Sequence, residues 1–351
     1  MTISNVSSHY LSTAMLPAIK QAQTQLATLQ TESASGQYAD LGLQLGSQSG
    51  YELSLRSQDD LLSSMKTANG ITATNMTSAQ NALDSLRSSA DDSLKSLVTL
   101  TSGANAPTTL QSLGQSNLQQ LIALANTSSG DDFVFGGQNL TSAPLDDYFS
   151  SSGSSAKTAV DNAFQSYFGF PVTSSNVSTI TASQLDGFLT GPYAQQFQGS
   201  NWTTNWSTAS DDDMTAQIAP NTTVTASTNA NTSGFRDLAQ GYTMLSEFGN
   251  IGLSASAQNA LSLTATNVIN QGVTGVISAQ ATLGQSQSAL SAANTQMSDQ
   301  MSLLQQQVSN LDSVDMAKVA TELTQVSTQL QASYQVTAKL SSLNLAQYLP
   351  A

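Results

Sequence analysis

The chain has no cysteine, one histidine, and only nine lysines and arginines in 351 residues. The missing cysteine rules out disulfides, thiol nucleophiles and cysteine metal sites. A lone His9 cannot anchor a multi-histidine metal site. Nothing resembles a nucleophile elbow that would pair it with a serine and an acid. His9 is therefore expected to be an exposed terminal side chain, and the chain is expected to be neither an enzyme nor a cofactor or metal binder. The nine cations face 23 carboxylates, for a formal charge of −14, and no basic cluster occurs. Without cations to release phosphate counterions, the composition argues against nucleic-acid binding. An anionic membrane surface would repel the chain, and no run of about 18 apolar residues could span a bilayer. Met1 to Tyr10 lacks the basic and apolar segments of a cleaved secretory leader. That signature suits a cytosolic protein, and equally one exported without such a leader.

Apolar residues make up 39%, aromatic residues 6% and charged residues 9% of the chain. The charged share in an ordinary soluble domain is about 25%. Ser, Thr, Gln, Asn and Ala fill the difference. The length allows two or three domains, but one thick core is out of reach. Elongated helices whose narrow apolar stripes pack on each other are within reach.

The apolar spacing supports that reading. Leu11, Met15, Ile19, Ala22, Leu26 and Leu29 follow steps of three and four, predicting a helix over about 10–35 with Gly36 as its stop. A second helix is predicted over about 52–100 and a shorter one over 108–125, separated by Gly103 and Pro107. Helical texture returns after Phe235, with long helices over about 254–309 and 314–345. Asp312 or Ser313 is the expected cap between these two, with Asp315 in the first turn of the second. The middle, 141–234, holds both tryptophans, most of the phenylalanines and four of the prolines. Alternation at 172–181 and 218–228 predicts strands there. The expected fold is mainly α, with long N- and C-terminal helices in an antiparallel coiled-coil rod and an inserted β-containing domain. Five segments follow: 1–42 and 312–351 as an inner coiled coil, 43–140 and 235–311 as a helical rod, and 141–234 as a β-rich outer insertion.

Residues 311–349 read LDSVDMAKVATELTQVSTQLQASYQVTAKLSSLNLAQYL. This segment, with ATLGQSQSAL at 281–290, resembles the C-terminal helices of the flagellin superfamily. Leu11 to Gly36 is similar to that family's first helix. The stretch after it, QYADLGLQLG at 37–46, departs from the family's pattern. Within the superfamily, GDDFVFGGQ at 130–138, followed by Pro144, resembles a segment of hook–filament junction proteins of the hook-associated protein 3 type. Its Phe133, Phe135, Gly136 and Gly137 are the junction-type positions. The resemblance implies a structural flagellar subunit, extracellular and exported without a cleaved leader. It implies partners as well: further copies of itself, a hook-side junction protein, flagellin and an export chaperone. A filament flagellin is the alternative.

Several residues are weighed apart from the resemblance. Leu26, Leu29, Val319, Leu323, Val326, Leu330 and Leu340 are expected to face other copies of the chain. Asp211-Asp212-Asp213 lacks the EF-hand spacing of calcium ligands and is expected to be a solvated loop. The pairs Asp131-Asp132 and Asp146-Asp147 are read as turn-forming, not as paired catalytic acids. Trp202 and Trp206 suggest either a sugar-binding face, as in a surface adhesin, or a small core for the insertion. The core is the preferred reading.

Overall fold

The computed structural model describes the backbone of residues 8–99, 106–151 and 153–342, and side chains over 15–99, 106–151 and 153–339. Packing divides the chain into two units, 1–63 with 298–351, and 64–297.

In the first unit, α1 (Ser8–Ser35) and α10 (Met316–Ser342) form an antiparallel pair. Leu29, Val314, Val319, Val326 and Leu330 are buried between them, with Ile19, Ala22, Leu26, Tyr38 and Leu323 alongside. Gly36 ends α1 with φ 72°, and its N–H donates to the Glu32 carbonyl at 2.8 Å. The turn after α1 then bonds to the turn before α10: Val314 N–H donates to Gly36 O, and Tyr38 N–H to Asp312 O, both at 3.0 Å. The helix passes through Pro17, although proline gives up one backbone bond there. The cap of α10 lies later than Asp312 or Ser313. Asp315 Oδ1 accepts from Ala317 N–H (2.9 Å) and Lys318 N–H (3.1 Å). Asp312 ends α9 and is fully buried, with Arg56 hydrogen-bonded to it and to Glu52. A buried carboxylate of that kind is held by its partner and cannot serve as a solvated cap. The Arg56 pKa is raised, first by its bond to Glu52.

Short α2 (Leu41–Leu45) follows, capped by Asp40 Oδ1 on Leu43 N–H. The two longest helices are α3 (Ser49–Thr99) and α9 (Ala255–Asp312), both without internal proline. In the first unit Tyr51 donates to Gln307 and Gln305 donates to Asp59.

The second unit is organised around α8 (Ser233–Phe248). Twelve of its sixteen residues are buried, so this helix is enclosed on all sides, whereas most helices bury one stripe. It packs against α4 (Ala106–Ala125) and α9 at backbone distance. A Cβ on Gly114 of α4 would stand 2.3 Å from Ser246 N, and one on Gly275 of α9 would stand 2.6 Å from Gly234 N. Only glycine permits these approaches.

The stretch 141–234 holds more helix than strand and is not β-rich. It holds α5 (Ser155–Phe168), α6 (Ala182–Thr190), α7 (Gly199–Asn205), two 3₁₀ turns and one hairpin, β3 (Thr215–Ala219) with β4 (Thr222–Thr225). The strand expected at 172–181 is a 3₁₀ turn over Ser175–Thr179. Its buried positions, Val177 and Ile180, are three apart, which suits a three-residue repeat and not a strand. Thr181 and Gln184 then close a capping box at the start of α6, a signature visible in the sequence. The alternation at 218–228 does contribute to a hairpin, whose turn places Asn221 at φ 65°.

Candidate assembly site and the Phe133–Gly137 segment

The seven stripe residues divide by environment. Leu29, Val319, Val326 and Leu330 are 4–6% exposed, with Leu26 and Leu323 packed beside them. They satisfy one another across the α1–α10 pair, a place the sequence reading assigned to neighbouring copies. The Leu340 side chain and the His9 side chain lie outside the described residues. Exposed apolar groups on the same helices are Leu16 on α1, and Met316, Tyr334 and Val336 on α10. Gln23 Nε2 donates to Tyr334 Oη at 2.6 Å across the pair.

The junction-type segment begins in a hairpin, β1 (Ser128–Ser129) with β2 (Asp132–Phe133). Gly130, in the turn, has φ 65°. Phe135 is fully buried and meets Phe235 of α8 edge-on at 5.0 Å. Its carbonyl accepts from Ala230 N–H (2.9 Å), and Gly136 O accepts from Ser210 N–H (2.9 Å). Gly137, at φ 64°, lies where a Cβ would come within 2.6 Å of Ser210 O. Phe133 is half-buried in a cavity wall. The segment therefore stitches the end of α4 to the two ends of the 210–230 loop. Its aromatic and glycine positions have structural work in this unit.

The other candidates resolve into core and loop. Trp202 and Trp206 are each 1% exposed. Their rings stack at 5.5 Å, and Tyr148 stacks on Trp206 at 5.1 Å, so neither ring offers a face to a sugar. Asp211 and Asp213 are tied by asparagines. Asn229 donates to Asp213 Oδ1 and Asn231 to Asp211 Oδ1, both at 2.8 Å. Burial raises the Asp213 pKa, against the lowering effect of the Asn229 bond. Among the described residues, no three His, Asp or Glu side chains converge as metal ligands. No described helix is long and apolar enough to cross a membrane.

A polar cluster beneath the insertion escaped the sequence reading. Lys157 is the only cation in 141–234, against seven aspartates. It donates to Glu247 of α8 at 2.5 Å and lies 5.9 Å over the Tyr148 ring. Burial, then the nearby Glu247 charge, pushes the Tyr148 and Tyr193 phenols far above the usual tyrosine range. The signal available in sequence was that one lysine in an acidic insertion.

Residues 6–142 match the bacterial flagellin N-terminal helical region, and residues 266–349 match the bacterial flagellin C-terminal helical region. The chain belongs to the flagellin superfamily. Its role is accordingly structural, in the extracellular flagellum, where members of this family assemble with copies of themselves and with other flagellar components. The Phe133–Gly137 segment falls within the N-terminal match, and 143–265 lies outside both. A solved structure described as a flagellar hook-associated protein from Vibrio parahaemolyticus has a similar fold. Its TM-score is 0.53 at 13% identity, over 76% of this chain and 97% of that one. No curated protein sequence matches the chain.

Proposed function

We propose that this flagellin-family chain is the adaptor at the hook–filament junction, binding a hook-side junction protein on one side and flagellin on the other. The observation carrying this reading is the 130–138 segment, which links the end of α4 to the insertion through Phe135 and Gly137. The fold shared with a hook-associated protein supports it. On this reading 1–42 and 312–351 form an inner coiled-coil layer, 43–140 and 235–311 a rod layer, and 141–234 an outer projection. Leu29, Val319, Val326 and Leu330 hold the α1–α10 pair together, and the exposed Leu16 and Val336 meet neighbouring copies. The terminal residues, with Leu340, join that contact on assembly. Export without a cleaved leader, aided by a chaperone, belongs to the same proposal.

A deletion strain tests it. Loss of a junction adaptor leaves hooks in place and releases flagellin into the medium. Loss of the main filament protein from the medium and from the cell surface would instead identify a filament flagellin. Immunogold labelling of intact flagella gives an independent answer: label at the hook end supports the adaptor, and label along the filament supports flagellin. The buried state of Trp202 and Trp206 weighs against the adhesin reading, and a glycan array with the full chain would check it.

A further inference from the structure

A single buried amide connects three parts of the second unit. Asn69 of α3 is 1% exposed. Its Nδ2 donates to the Ile218 carbonyl of β3 at 2.8 Å and to Asn294 Oδ1 of α9 at 2.8 Å. The carbonyl can only accept, which fixes the orientation of the Asn69 amide. Elsewhere the hairpin meets the core through Ile218 and the partly buried Ala216, Ala219 and Val224. Ile218 is the only buried residue of β3 and β4. Beside it a cavity of about 160 Å³ separates Thr72, Asn75 and Ala79 of α3 from Met214, Thr215 and Ala216. Apolar packing under the hairpin is therefore incomplete, and a buried amide without partners carries a desolvation cost. The other hairpin, β1–β2, is seated on α3 separately, through Ser129 Oγ donating to Asn75 Oδ1 at 2.7 Å.

We propose that Asn69 is the positioning residue of the β3–β4 hairpin, clamping it to α3 and α9 through the Ile218 carbonyl and Asn294. The clamp works by exclusion as well as attraction. Displacing the hairpin takes from the buried Asn69 amide one of its two acceptors and from the Ile218 carbonyl its donor. The apolar stripe of α3, by contrast, would accept many neighbours. This inference does not depend on the junction assignment.

The test is hydrogen exchange followed by mass spectrometry on the full chain carrying Asn69→Asp. That change keeps the shape but sets a carboxylate oxygen against the Ile218 carbonyl. Exchange across 215–225 should accelerate roughly tenfold or more, while β1–β2 and α8 keep the rates of the unaltered chain. Unchanged exchange in the hairpin would overturn the proposal. So would a uniform acceleration over 64–297, which would make Asn69 a general core residue. If the charged variant does not fold, Asn69→Ala removes the donors without adding charge. It should show the same local pattern at smaller size, and rates equal to the unaltered chain would overturn the clamp.

Discussion

The α1–α10 pair and the α8-centred unit are built from the same residue vocabulary but differ in kind. Among the described residues, the pair and its flanking turns bury five apolar side chains, on helices of 28 and 27 residues. The second unit encloses α8 on all sides, with glycine contacts to α4 and α9 and a continuous aromatic cluster through Phe164, Phe188, Tyr193 and Phe248. Ordering backbone costs about 1–2 kcal/mol per residue, so stability depends on how much burial each ordered residue obtains. The second unit obtains it from its own chain. Among the described residues the pair obtains less, and Leu16 and Val336 stay exposed. On the proposed reading this division suits a subunit of a polymer: one part holds its shape alone, and the other would complete its packing on assembly.

The comparison can be broken at its strong side first. Phe248→Ala removes a ring that touches Phe164, Phe188 and Tyr193. It should destabilise the second unit by about 3–5 kcal/mol, read as a drop in thermal or urea midpoint. A change below about 1 kcal/mol would mean the aromatic cluster is not the centre of stability.

Alkaline titration comes next. Tyr148, Tyr193 and Tyr242 have phenols raised by burial. A raised folded pKa means the native state holds its proton where the unfolded chain loses it. The stabilisation is complete below the unfolded value near 10. It is lost as pH rises from there towards the folded value. Each phenol contributes a loss of about 1.4 kcal/mol per pH unit in that window. The unit should therefore unfold cooperatively above about pH 10, with phenolate absorbance appearing together with the loss of near-ultraviolet dichroism. Phenolate appearing well before unfolding would contradict the burial.

Lys157→Met sharpens the comparison by removing the ionic contacts of Lys157, to Glu247 at 2.5 Å and to Asp161 at 3.7 Å. Glu247 keeps 11% side-chain exposure and Lys157 42%. The loss expected for a fully buried pair is thus reduced by solvent screening, to about 1–2 kcal/mol. Adding Glu247→Gln should recover part of it. No recovery in the double variant would show that Lys157 acts through Asp161 or through its packing on Tyr148.

The smallest effect on global stability should come from Leu330→Asp. The charge enters the seam of the α1–α10 pair, yet the second unit should change by less than about 0.5 kcal/mol. Assembly, followed by sedimentation, should fail. Even in the unaltered chain at low concentration, α1 and α10 should exchange amide hydrogens faster than α8. Strong protection of both helices in the monomer would erase the distinction between the two regions.

Much of this was legible in the residues, for reasons tied to period. The helices predicted at 10–35, 52–100, 108–125 and 254–309 correspond to α1, α3, α4 and α9 within a few residues, because a 3.6-residue repeat of apolar positions is a local property. Thr181 and Gln184 carry the capping box of α6 in their residue types, although the strand expected at 172–181 ran over Thr181. Expectation and structure part in the insertion, where short apolar runs could serve either period. Val177 and Ile180 look like strand residues until their shared burial shows a turn. Pro17 could not be judged locally, because a single missing backbone bond can be tolerated inside a helix held by its partner.

The sequence alone determined the helical period, the absence of thiol chemistry, the acidic surface and, through 311–349, the flagellin family. These follow from composition, from residues three or four positions apart, or from one continuous segment. Tertiary structure decided which stripe residues face one another and which face outward, and that the tryptophans are core. It also decided that Asp312 meets Arg56, and that Asn69 meets a carbonyl 149 positions away. Those pairings join residues far apart in the chain. Only the packed fold brings such groups within hydrogen-bonding distance, where the cost of burying a polar atom selects its partner.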